Sequence, residues 1–426
     1  MTSALVLSRY FPFNATRIHA VYQRLGIQIE ALARVVDRVD CLFLVPPEQQ
    51  CGTEELREHE EHLRALWTPA LKLRLAAVVR EPSGGSAWQR LGRGVFDFRA
   101  HPIVRGVDME AAVSALRGAL AEQPGLVLVH RLSAMAVVLE VAAELAETPV
   151  FFDMDDIEHI AWTRRLLRDP DPTWPWEKLL LLQTPRLMLA EVKAIGLAQQ
   201  TFVCSERDRR YLARLVGSGR VQTVPNSVTF PALSAADETE PLVLFVGSMA
   251  SRPNAQAVDA LVHSIWPRVR AAMPDARLAI IGQGAELTSS YSLRDPTVSF
   301  LGFVEDLAAW YRRARVVCCP IYHGSGTRVK IIEAAAHRKA VVATPMGAEG
   351  LSFVDGEEIV LRKAPMDLAA ACVELLRDPS AASRLGAQAR RRALQLYDRS
   401  VVVQQLADIF RIALPQFDVA ACAKQP

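Results

Sequence analysis

Short apolar runs alternate with longer stretches of helical periodicity along the chain. This alternation calls for parallel sheets, because two parallel strands can be joined only by a crossover, usually a helix. Residues 4–8, 39–45, 126–130, 149–153 and 201–204 read as strands of a first sheet, with helices over 17–36, 109–122 and 133–147. Residues 54–100 resist assignment, since Pro82, Gly84, Gly85, Gly92 and Gly94 interrupt any single element. A second series of strands covers 242–247, 277–281, 298–301, 315–319, 340–344 and 358–361, with helices over 254–273, 305–313, 328–337, 366–377 and 380–396. The 426 residues exceed the ~250–300 at which one core stops growing. The polar segment 231–241, with proline at both ends, reads as the linker. Two doubly wound α/β domains follow, with ligands expected at the carboxyl ends of their strands.

A net charge of +2 lacks the footprint of a nucleic-acid binder. The seven cysteines form no CxxC pair and read as reduced thiols. The start goes straight into a strand without an export signal, and no apolar run reaches the ~18 residues of a membrane span. A cytoplasmic location is therefore expected, with peripheral contact at the inner face of the membrane left open. Residues 161–193 bear on that contact, because they mix tryptophan, arginine and leucine. They fit either an interfacial surface, touching membrane or a lipid-linked acceptor, or a helical pair packed on the first sheet.

The chemistry concentrates in His323-Gly-Ser-Gly-Thr-Arg-Val-Lys-Ile-Ile-Glu333, where a strand ends, a glycine-flanked loop follows and a helix is expected from about Thr327. The first amides of such a helix attract anions, and Gly324 and Gly326 let backbone approach a phosphate. Val329, Ile332 and Ala336 share the core face, while Lys330 and Glu333 share another. Arg328 and Lys330 can then reach one diphosphate, and Glu333 can accept from paired hydroxyls such as those of a ribose. Surface ion pairing is the plain alternative.

These residues resemble the donor-binding motif of the retaining GT-B glycosyltransferases of the fourth sequence family, the group 1 glycosyltransferases, in the branch reading Gly-Ser-Gly-Thr-Arg-x-Lys-x-x-Glu-Ala. The resemblance runs through residues 200–412 and takes in Val203-Cys-Ser-Glu-Arg-Asp208, Val224-Pro-Asn-Ser-Val228, Leu242-Val-Leu-Phe-Val-Gly-Ser-Met with Pro253-Asn254, Val298-Ser-Phe-Leu-Gly-Phe-Val-Glu-Asp-Leu307 and Gly347-Ala-Glu-Gly-Leu351. It implies a GT-B fold of two Rossmann-like domains facing a central cleft. The acceptor-side domain would cover 1–233 and the nucleotide-sugar donor domain 242–396, with a terminal helix over 397–412 packing back toward the first. Donor contacts would come from Gly247, Ser248, Asn254, Gly302, Phe303, Val304, Gly324, Ser325, Gly326, Thr327 and Glu333, with Arg328 and Lys330 on the diphosphate. Two departures stand out: Ser325 occupies the position of the family's first glutamate, and the common Gly-Arg...Lys-Gly phosphate loop is replaced by Gly247-Ser-Met-Ala-Ser-Arg-Pro-Asn254. Arg252 or Asn254 could fill that loop's role, although Arg328 and Lys330 are the favoured pair.

In the first half, Ser8-Arg-Tyr-Phe-Pro-Phe-Asn-Ala-Thr-Arg17 contains no glycine, so a dehydrogenase-type dinucleotide turn is unsupported. Asn14 and Arg17 are acceptor-side candidates, or simply cap the next helix. His130 ends a strand, and the resemblance places a histidine there against the donor sugar. Asp153, Asp155 and Asp156 form an acidic cluster that could be read as a metal site; the resemblance favours acceptor hydrogen bonding and no metal or cofactor. The implied reaction passes a sugar from a nucleotide-diphosphate donor to a hydroxyl on a glycan, lipid-linked or small-molecule acceptor, with retention at the anomeric carbon, as in polysaccharide or glycoconjugate biosynthesis. The leaving phosphate would take the acceptor proton, so the carboxylate pair of a glycosidase is not required. A GT-B sugar-nucleotide epimerase and a non-catalytic sugar-nucleotide-binding protein are the alternatives.

Overall fold

The computed structural model describes residues 2–13, 20–78, 87–104, 106–168, 176–232, 239–293 and 295–413. The chain forms two compact units, one running from the start to Asn226 and resuming at Ser400, the other spanning Ser227–Arg399. The division precedes the polar segment 231–241, of which 233–238 lie outside the described residues. The reason is local. Val228 N–H donates to Tyr397 O at 3.0 Å and Arg399 N–H returns to Val228 O at 3.0 Å, fastening this stretch to the second unit's last helix.

The first unit holds seven parallel strands, β1 (Ser3–Ser8), β2 (Arg38–Val45), β3 (Leu71–Ala77), β4 (Leu126–His130), β5 (Val150–Asp155), β6 (Gln200–Val203) and β7 (Val221–Thr223). Their order is β3-β2-β1-β4-β5-β6-β7. Six parallel strands make the second sheet: β8 (Leu242–Val246), β9 (Arg277–Ile281), β10 (Val298–Gly302), β11 (Val316–Cys319), β12 (Ala340–Ala343) and β13 (Val360–Leu361), ordered β10-β9-β8-β11-β12-β13. In both, the order reverses beside the first strand. Central strands such as β1 and β11 are buried at every position, as expected where helices cover both faces.

Two elements depart from the sequence reading for visible reasons. In β3 Lys72 and Arg74 alternate with buried Leu71 and Leu73, and both cations pair with Glu122, protecting a sheet edge. The helix expected over 254–273 is broken into Arg252–Ala260, a π-helical turn Leu261–Ile265, and Trp266–Ala272. Pro267, which has no N–H to give the ladder, sits at that junction.

The terminal helix Arg399–Ala413 belongs to the first unit's core, where Val402, Val403, Leu406 and Phe410 are buried. Phe410 meets Phe151 edge-on at 5.0 Å and Phe202 at 5.9 Å. Phe410→Ala should therefore cost about 3–5 kcal/mol in urea unfolding of the first unit. Val401→Ala, on the 44% exposed side of the same helix, should change it by less than about 0.5 kcal/mol.

Candidate functional site

In the second unit, the loops after β8, β9 and β10 are laced by backbone. Gly247 N–H donates to Ile281 O, and Gly282 N–H to Gly302 O, each at 2.8 Å. Gly282 has φ +141°, and a side chain there would run into the carbonyl of Gly247. The loops come together this closely only because glycine stands at the crossing.

Lys330, in the first turn of the helix Val329–Ala336, reaches from the β11 side of the strand-order reversal to the β8 side. Its Nζ donates to Asn254 Oδ1 at 2.7 Å and lies 4.4 Å from the centre of the Phe245 ring. Asn254 is itself oriented by its Nδ2 donating to Ser248 O at 2.7 Å. A Cβ on Gly247 would collide with Lys330 Nζ, so the missing side chain makes room for the ammonium. Burial brings the Lys330 pKa down to about 8, opposed by Cys319 and Glu333 and reinforced by Arg328. Burial raises the Glu333 pKa, with Lys330 acting against it. Across from Glu333, the Tyr311 hydroxyl is buried and its ring stacks on His337 at 4.5 Å.

Arg328 behaves differently from Lys330. It precedes the helix in extended conformation, and its guanidinium donates to the carbonyls of Ser325, Gly326 (3.0 Å) and His323 (3.4 Å). A Cβ on Gly324 would meet Arg328 Nη2 at 2.7 Å. Gly324 thus accommodates the arginine that braces the loop, and the helix starts two residues after Thr327. No side chain caps it. Phe303, just past Gly302 at the end of β10, is 60% exposed, whereas Val304 packs on the unit's core.

In the first unit, the reversal lies between β1 and β4, and His130 stands there. Its Nδ1 shares a 3.0 Å hydrogen bond with Ser8 Oγ, which also accepts from Tyr10 N–H. The Tyr10 ring covers the imidazole edge-on at 5.6 Å. His130 is fully buried, and burial lowers its pKa to about 4 despite Asp153 nearby. Asp153 is fully buried against Arg24, whose Nε reaches both carboxylate oxygens at 2.9 and 3.0 Å. Asp155 pairs with Arg131 and accepts from Cys204 Sγ at 2.7 Å. Arg131 and Asp155 carry left-handed φ of +68° and +60°, and the β5–β6 register slips between Asp153 and Asp155. This strained, charge-paired corner gives the Asp153 carboxylate to Arg24 and the Asp155 carboxylate to Arg131, Cys204 and, at 3.5 Å, Arg24 as well. Asp156, next along, is half-buried; Asn14 and Arg17 lie outside the described residues. Among the described residues no group of three His, Cys, Asp or Glu is arranged to hold a metal ion.

Residues 240–378 match the family model of the glycosyl transferases group 1. This segment is similar to the group 1 glycosyltransferases. It contains Gly247, Asn254, Gly302, Lys330 and Glu333, hence the whole second-unit constellation. The phosphatidyl-myo-inositol mannosyltransferase of Mycobacterium leprae is 33% identical over 223 residues, 48% of this chain and 57% of that protein. The match thus spans little more than half of that relative's length. Sucrose-phosphate synthase from Thermosynechococcus elongatus superposes with a TM-score of 0.65 at 20% identity, covering 98% of this chain and all of that one. The Anabaena protein HepE, in complex with UDP and glucose, gives 0.63 at 14% identity, covering 96% and 99%. The fold is therefore GT-B, with two Rossmann-like units.

Sequence reasoning did not find Phe245, Ser8 or Arg24. Only Arg24 left a signal. It lies one turn before Gln28 on the stripe of the helix Ala20–Ala33 that buries Leu25, Ile29 and Leu32, where a charge needs a partner. The buried imidazole gives a pH test. His130 is neutral in the fold down to about 4, whereas an unfolded histidine protonates near ~6.5, so its contribution is complete above ~6.5 and is lost as pH falls toward 4. Between about pH 7 and 4, urea unfolding of the parent should lose up to roughly 3 kcal/mol more than that of His130→Gln.

Proposed function

We propose that this chain transfers a sugar, with retention at the anomeric carbon, from a nucleotide-diphosphate sugar to a hydroxyl acceptor. One observation carries the reading: the Lys330 ammonium is held by Asn254 where the strand order reverses, inside the segment similar to the group 1 glycosyltransferases. That is where such sheets bind nucleotides. Relatives support it in kind, since one is named a mannosyltransferase and a protein of the same fold was solved with UDP and glucose.

In the proposed step the bond from the anomeric carbon to the diphosphate breaks, the acceptor oxygen bonds to that carbon, and its proton passes to the leaving phosphate. Negative charge grows on the diphosphate as this happens. Lys330 and the amides at the start of the helix Val329–Ala336 neutralise it, with Arg328 joining once an anion competes for its loop carbonyls. Glu333 takes the ribose hydroxyls, and Gly302, Phe303 and Val304 take the base. In the first unit His130 is assigned to a sugar hydroxyl; its Nε2 makes no hydrogen bond in this structure and stands 3.8 Å from Asp153 Oδ2. Asp156, Asn14 and Arg17 serve the acceptor. Neither a metal nor a cofactor is part of this scheme.

A second surface of the first unit supports an acceptor met at a membrane. On the helix Ala87–Phe96, Trp88, Gly92 and Phe96 follow one another at helical spacing on the outward face, Trp88 57% and Phe96 76% exposed. Leu91 and Gly94 face inward onto Gln183, and Trp176 lies 6.4 Å from Trp88. No helix among the described residues is long and apolar enough to cross a membrane, so such contact would be interfacial. The protein should float with anionic liposomes and Trp88→Ala/Trp176→Ala should float less; absence of flotation by the parent removes the membrane from the scheme.

Calorimetric titration with UDP, GDP, ADP and TDP tests the donor site. One of them should bind, with affinity declining as pH rises through about 8, where Lys330 loses its proton. Lys330→Ala and Glu333→Ala should each weaken binding roughly tenfold or more. Binding equal to the parent in both variants would overturn the assignment. An inverted anomeric centre in the product, read by proton NMR, would exclude retention, and a donor sugar altered without acceptor would favour epimerisation.

A further inference from the structure

We propose that Phe245 is a positioning residue for donor binding: its ring forms the floor on which the Lys330 ammonium rests, and with Asn254 it aims that cation at the diphosphate. The inference rests on the reading of Lys330 as a phosphate ligand and adds the residue that holds it.

Phe245 is fully buried in β8, so its ring is held in place by the packing around it. Lys330 Nζ stands 4.4 Å from the ring centre, within the range at which a cation is attracted by an aromatic face. The ammonium has three protons to place, and Asn254 Oδ1 takes one at 2.7 Å. Gly247 opens the space beside it, since any Cβ there would displace Nζ. The charged and titratable groups around Nζ are Cys319 at the end of β11, Arg328 in the loop and Glu333 one turn along the helix. Cys319 is a buried thiol and Arg328 repels the ammonium, so Glu333 is the sole opposite charge among them. A cation that burial already disfavours is thus held chiefly by one amide oxygen, one more distant carboxylate and the ring. The β8 loop Gly247–Asn254 departs from the resembling family's phosphate loop and carries one cation, Arg252, behind Ser248-Met-Ala-Ser251. Lys330 reaches over that loop from the opposite side of the reversal.

The test replaces Phe245 with pentafluorophenylalanine, which keeps the ring's shape and reverses its quadrupole, and separately makes Phe245→Leu. Acetic anhydride labelling of Lys330, followed by mass spectrometry across about pH 6 to 11, reads the ammonium without any ligand. Both replacements should raise its ionisation constant roughly threefold to thirtyfold, so that labelling begins at lower pH. Affinity for whichever nucleoside diphosphate binds the parent should fall in parallel at pH 8 and much less at pH 6.5. A labelling midpoint unchanged by the fluorinated ring would show that the ring acts by shape alone and would overturn the inference. A shifted midpoint with unchanged nucleotide affinity would overturn it too, since the ammonium would then not serve the donor. If the parent binds no nucleoside diphosphate, the donor reading fails, while the labelling still decides whether the ring holds the ammonium.

Discussion

Each sheet of this protein is wholly parallel, and its chain winds outward from the first strand in one direction before returning to wind in the other. Everything that carries chemistry follows from that reversal. Crossovers leaving β1 and β4, or β8 and β11, depart to opposite faces, so the loops between them cannot cover the carboxyl ends of these strands. In the second unit Gly247 and the loop 320–328 lie at these strand ends; in the first, the buried pair Ser8 and His130 does.

The two strand reversals treat charge in different ways. In the first unit, cations and anions are spent on one another: buried Arg24 with buried Asp153, and half-buried Arg131 with buried Asp155, held in part by left-handed backbone. Removing one partner would strand a buried charge, which makes this corner rigid rather than reactive. In the second unit, Lys330 is not neutralised by a contacting carboxylate. It is held by an amide, an aromatic face and a gap left by glycine, and its lowered pKa records the cost of keeping it there. A cation kept in this way gains most when an anion arrives, which is the physical basis of the proposal that a donor diphosphate binds beside it.

Much of this was readable in the residues. The runs at 242–246 and 316–319 were apolar throughout because both faces of their sheet are covered, and the loop 320–328 announced itself by glycines flanking a serine. The strand Leu71–Ala77 escaped because an edge strand with Lys72 and Arg74 on its outer face lacks the continuous apolar run of its neighbours. The break at Pro267 was visible, yet a proline at the start of a helical turn is tolerated, so pattern alone could not separate a pause from a continuation. Among site residues, Lys330 and Glu333 were marked by spacing. Phe245 was not, since a phenylalanine in a buried strand looks the same whether or not an ammonium sits on its ring.

Sequence by itself determined two parallel α/β units, a glycine-flanked loop at 320–328 leading into a helix, and a β8 loop, Gly247–Asn254, whose one cation is Arg252. Those properties are local, written in periodicity, glycine placement and residue type. Only the tertiary structure decided which charges are free to act. Asp153 looked available beside its neighbours and is consumed by Arg24, 129 positions away, while Arg328 turns onto its own loop and Lys330 crosses to Asn254, 76 positions away. Pairing across such separations depends on strand order and on space left by single glycines, and neither is a property of any one segment.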